Sequence, residues 1–206
     1  MACSVVCVSH TTGSGGDEVG KQVAERLGYL YVDEDIVARA AAAGGLDPGD
    51  IADEERRKSY AGRLLDMLAQ GGGDAYAVAA TAGVEVIRPE DVRGLIRETV
   101  AQTAARGKVV IVSHAASHAL DPGPHVLRVF VTASPATRQQ RVAAAEQLDE
   151  TKAKRTIKDS DAGRRDYLKR FYSVDSEAPT DYDLVVNTDL LSIEQAAEIV
   201  LSAADR

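Results

Sequence analysis

Five short apolar runs, rich in β-branched residues, recur along the chain at residues 4–9, 29–32, 108–112, 125–131 and 183–187. Between them the apolar positions fall at helical spacing. After the first run Val19, Val23, Ala24 and Leu27 mark one helix, which Gly28 stops. An Ala-rich helix is expected over 36–43, ending at Gly44-Gly45. A charged, then amphipathic one is expected over 54–68, with Leu64, Leu65 and Leu68 as its stripe. Residues 74–88 read as loop. Pro89-Glu90-Asp91 starts a further helix, with proline in the first turn and acids against the dipole. Ser134-Pro135 opens another. Residues 150–170 form a long, basic helical stretch whose pattern allows a break near Ser160, and Ser192-Ile193-Glu194-Gln195 is a capping box for the last helix.

This alternation predicts a three-layer α/β sandwich, a five-stranded parallel sheet with helices on both faces and the first run as its central strand. No repeat or low-complexity linker asks for a second domain, so residues 1–206 are expected to form one. Ligands on such sheets sit at the carboxyl ends of the strands. There lie the turn Gly13-Ser14-Gly15-Gly16, Asp33, Ser113-His114, Thr132 and Asn187-Thr188.

Composition narrows the field. A chain of 206 residues suits one domain with a sizeable core. Its net charge of −8 argues against a nucleic-acid or membrane-surface partner reached by bulk electrostatics. No apolar run approaches the ~20 residues of a membrane span. No signal peptide is read at the N-terminus, and a cytoplasmic location is expected. Cys3 and Cys7 share one face of the first strand, roughly 13 Å apart, and read as buried thiols rather than a disulfide or metal pair.

A strand, a glycine turn and a helix together present backbone N–H groups and a positive helix end to a phosphate. The spacing fits a P-loop, whose lysine meets the β/γ-phosphates and whose hydroxyl holds magnesium. With Gly15 as that motif's second glycine, the lysine place is Gly16 and the hydroxyl place Asp17, or Glu18 with one residue inserted. The first glycine becomes His10. The turn is present without its cation or its metal ligand. Either acid is expected to fold back and cap the turn, and Gly16→Lys with Asp17→Arg to tighten ATP binding.

Other features carry two readings each. The cations at 138, 141, 152, 154, 155, 158, 164 and 165 form either a lid or a solvated helix face. Asp161 and Arg164 are spaced for an i,i+3 pair. His114 and His118 are a metal pair, an acid/base or polar rim residues, the last favoured because no carboxylate or cysteine accompanies them at fixed spacing. Asp33 orients an acceptor hydroxyl or binds magnesium through water, or it caps the next helix. Tyr29, Tyr60 and Tyr76 stack a base or simply pack.

The segment from His10 to Gly28, with Gly13-Ser14-Gly15-Gly16 and Val19-Gly20-Lys21, resembles the opening of the cytidylate kinase-like family, a branch of the nucleoside monophosphate kinases. So does the order Arg138, Arg141, Ile157, Asp161-x-x-Arg164-x-x-Tyr167, Tyr182-Asp183-Leu184-Val185-Val186-Asn187-Thr188. Residues 45–105 match only loosely. The resemblance implies a P-loop kinase-like sandwich, an acceptor-binding insertion near 35–90 and a mobile, arginine-bearing lid near 148–170. It implies ATP with Mg2+ when active, bound at His10, Gly13, Ser14, Gly15, Gly16, Asp17 and Glu18. Arg138, Arg141, Arg155 and Arg164 would be catalytic, and Asp33, Asp35 and His114 would bind a nucleotide or another small phosphorylated acceptor. No protein-bound metal site and no oligomeric state follow.

Relatives tend to carry arginine where this chain has His10, Asp17, Glu34 and His114. Phosphoryl transfer depends on positioning and charge neutralisation, so weak phosphorylation of a CMP-like acceptor is expected. The alternative is an impaired relative that binds a nucleotide or a protein partner without turnover. A GTPase-like switch is disfavoured because no N-K-x-D motif occurs.

Overall fold

The computed structural model describes residues 3–33, 100–113 and 116–205. The chain divides into two compact units, Met1–Asp33 with Ala104–Arg206, and Glu34–Thr103. The helices expected over 36–43 and 54–68, the loop over 74–88, the insertion near 35–90, Asp35 and His114 lie outside the described residues. So do Tyr60 and Tyr76 and the start of the helix at Pro89, of which only residues 100–105 are described, as helix.

The first unit contains β1 (Val5–His10), α1 (Gly16–Leu27), β2 (Leu30–Asp33), β3 (Val109–Val112) and α2 (Ala116–Ala119). It continues with β4 (Val126–Thr132), α3 (Pro135–Glu146), α4 (Glu150–Tyr172), β5 (Leu184–Asn187) and α5 (Ile193–Ala204). The five strands form one sheet in the order β2-β3-β1-β4-β5, and every pairing is parallel. The first strand is central, in keeping with its unbroken apolar run from Val5 to Val8. It runs from Val5 beside Val109 and Val126 to His10 beside Val131.

Every residue of β1 except His10 is buried, and so is every residue of β3. Such strands are covered on both faces and show no polar alternation. Val6, Val8, Val110, Val112, Leu127, Val129 and Val131 pack against Val19, Val23 and Ala24 of α1 and Ala196, Ala197 and Val200 of α5. Each fully buried valine stabilises the fold by about 1.5–3 kcal/mol. Cys3 and Cys7 are fully buried thiols, and burial pushes Cys7 up to about 12.

The local signals act as read. Ser134 caps α3 through Thr137 N–H, and Ser192 and Gln195 complete the box at α5. One expectation needs correction. Helix α4 runs unbroken through Ser160, whose hydroxyl bonds Thr12 Oγ1 at 2.5 Å. It is also better anchored than its charge suggests. Ala153, Ile157, Arg164 and Leu168 are buried, and the first two pack on Val142 of α3.

Candidate functional site

The glycine turn leaves β1 at its carboxyl end, beside both neighbours of the central strand. Gly13 has φ of 79°, and a Cβ there would lie 2.8 Å from the Arg138 carbonyl. Only glycine allows α3 to seat so closely on a left-handed turn. Gly15 is the N-cap of α1 and supplies no side-chain cap. No cap side chain therefore competes for the first-turn N–H groups that an anion would use.

The strand ends hold the turn in shape. Thr11 N–H and the Ser14 hydroxyl both donate to the Val131 carbonyl, at 3.2 and 3.1 Å. The Thr188 hydroxyl donates to the Ser14 carbonyl at 2.7 Å. Arg141 fastens the same corner. Its Nη1 reaches Thr188 Oγ1 at 2.9 Å and its Nη2 the Thr188 carbonyl at 2.6 Å, with longer bonds to the Gly13 and Ser14 carbonyls.

At the lysine place the backbone leaves no room. A Cβ on Gly16 would overlap the His10 side chain, so Gly16→Lys cannot simply restore the missing cation. Asp17 meets His10, Nε2 to Oδ1 at 3.4 Å, and Glu18 is exposed. Burial opposes the imidazolium, but the hydrogen bond and charge of Asp17 outweigh it and raise His10 above its ordinary value.

Beside the turn lies a cleft of about 250 Å³, lined in part by Thr11, Arg138, Asp161, Arg164, Leu168 and Glu177. Arg138 is buried and grips Asp161 with both Nη atoms, at 2.8 and 2.7 Å. Its buried Nε donates to no acceptor among the described residues. Arg164, also buried, grips Glu177 through Nε and Nη2 at 2.7 and 2.6 Å and donates Nη1 to the His10 carbonyl at 3.0 Å. The Asp161–Arg164 helix pair is thus not the arrangement found. Each residue pairs across elements instead, because both side chains face inward from α4.

Arg155 stands apart, 84% exposed, in an i,i+4 pair with Asp159. Asp33 ends β2 in register with Val112. His118 is half-buried with Nε2 3.4 Å from the Tyr182 hydroxyl, and burial lowers its pKa. No group of three metal-ligating side chains occurs among the described residues.

Sequence reasoning missed Glu177 and the role of Tyr182. Glu177 carries no periodic or motif signal, and Tyr182 reads in the sequence only as the lead-in to the last strand, not as a neighbour of Arg164.

The donors fit an anion, through the uncapped start of α1 and the buried Nε of Arg138. The hydroxyl that holds magnesium in a P-loop is absent: its place is Asp17, whose carboxylate faces His10, or Glu18, which is exposed.

The sequence model of the cytidylate kinase-like family matches residues 5–190. A cytidylate kinase of Roseiflexus castenholzii is 29% identical, covering 100% of this chain and 95% of its own. One from Archaeoglobus fulgidus is 24% identical, covering 97% and 94%. Among solved structures, an uncharacterized protein from Eubacterium ventriosum aligns with a TM-score of 0.66 at 17% identity, over 97% of both chains. Shikimate kinase from Bacteroides thetaiotaomicron aligns at 0.53 and 16%, also over 97% of both. These likenesses show a P-loop kinase-like α/β fold. With nine-tenths of its length inside the family match, the chain belongs to the cytidylate kinase-like family.

Proposed function

We propose that the protein is a slow nucleotide kinase, transferring the γ-phosphoryl group of ATP to a CMP-like nucleoside monophosphate. The observation that carries this is the convergence of Arg138, Arg141 and Arg164 on the glycine turn at the end of the central strand. The turn's N–H groups take the donor's phosphates, Arg141 keeps the turn in shape, and Arg138 and Arg164 close on the transferring group. Asp33 orients the acceptor. Magnesium would reach the site on the nucleotide's own oxygens.

The rate is limited by what lies beneath the phosphates. Losing one preorganised donor typically costs about 2.7–4 kcal/mol, or 10²–10³ in rate. Calorimetry with ATP and magnesium, followed by CMP, UMP and AMP, tests the assignment. ATP should bind weakly and CMP should bind better in its presence. No heat with any nucleotide would refute it. A second reading, nucleotide binding without turnover, is favoured by Asp161 and Glu177 occupying both guanidinium forks. ATP binding with no ADP formed under any acceptor would select that one.

A further inference from the structure

Glu177 takes the place on Arg164 that a phosphate would take. The two-point grip at 2.7 and 2.6 Å is the same fork geometry arginine offers to carboxylate and phosphate alike. Both side chains are largely buried, 5% exposed for Arg164 and 18% for Glu177. The Tyr182 hydroxyl donates to the same carboxylate, and Tyr182 itself is held by stacking on Phe130. The arginine and the tyrosine together hold Glu177 below the ordinary carboxylate range despite burial.

The two occupied arginines differ in what carries the carboxylate. Asp161 belongs to the 23-residue helix α4. Glu177 sits in the short connection that follows α4. That connection begins at Ser173, the left-handed C-cap, and ends where Asp181 caps the Pro179–Asp181 turn through Ala178 N–H at 2.8 Å. Val174, Asp175, Ser176 and Glu177 all line the cleft. Asp175 pairs with solvent-facing Lys169, both more than two-thirds exposed. Val174 N–H donates to the Leu168 carbonyl at 3.2 Å at the first anchor, and residues 174–177 lie between the two anchors.

We propose that Glu177 is a resident competitor for phosphate. With it in place the cleft is neutralised, and a ligand's phosphate binds Arg164 only by displacing residues 174–177 outward. The proposal rests on the assignment of this cleft as a phosphate site. It goes further in making affinity there an exchange of one anion for another.

Inorganic pyrophosphate is the probe, titrated calorimetrically into the full chain and into Glu177→Gln, which keeps the shape and removes the charge. The variant should bind about ten- to a hundredfold more tightly, the range of one charge-assisted contact. Equal or weaker binding by the variant would overturn the competitor role while leaving the phosphate site intact. No binding by either protein would overturn both. Should the variant not fold, hydrogen exchange on the unmodified protein decides. Pyrophosphate should raise exchange across 173–178 if Glu177 is displaced, and unchanged or lowered exchange there would refute the proposal.

Discussion

At position 16 a phosphate loop of this spacing ordinarily carries a lysine stem, yet here the His10 side chain fills the space in which that stem would begin. The pair forms a reciprocal exchange, a side chain at 10 for one at 16. Gly16→Lys alone should therefore destabilise the fold by about 1–3 kcal/mol, as overpacking does, which thermal unfolding would measure. Adding His10→Gly should remove that cost and tighten ATP binding, read by calorimetry. His10 has its own signature. Its pKa is raised by Asp17, so the stabilisation from this pair is complete below the ordinary histidine value and fades as pH rises through the raised one. Asp17→Asn should lower the His10 pKa in an NMR titration and lose stability at pH 6 but little at pH 9. An unmoved titration would show that the pair does not govern His10.

At the scale of elements, α4 is tied to its neighbours by buried side chains. Arg138–Asp161 joins it to α3, and the Arg164 bond to the His10 carbonyl joins it to the end of β1. Removing one partner of a buried pair leaves an uncompensated charge and costs about 3–5 kcal/mol. Asp161→Ala should approach that range in chemical denaturation, while Arg155→Ala, on the exposed face, should stay within about 0.5 kcal/mol. Equal effects would mean that the ties across α3 and α4 carry no special weight. The elements themselves were legible in the sequence wherever local chemistry decides them. Ser134-Pro135, the Ser192 box and Gly28 mark helix ends by side chains acting within four residues, and the buried strands announce themselves as unbroken apolar runs. The pairing of Asp161 was not legible, because i,i+3 spacing names a neighbour while its real partner lies 23 residues away. Glu177 was invisible for the same reason, since a loop carboxylate acquires meaning only when the fold brings it to Arg164.

For the whole molecule, the parallel sheet places the turn at the centre of the edge where the carboxyl ends of all five strands gather, and the arginines of α3 and α4 close over it. The fold is P-loop kinase-like, and among the described residues His10 and Asp17 stand at that edge where relatives tend to carry arginine. The central claim is that such a site still transfers phosphate, but slowly. CMP-dependent formation of ADP from ATP, followed at neutral pH with the unmodified protein, measures it directly. Turnover is expected at about 10²–10³ below the ~1–100 per second of ordinary kinases, and loss of CMP should abolish it. A rate within that ordinary range, or no CMP-dependent turnover at all, would contradict the account.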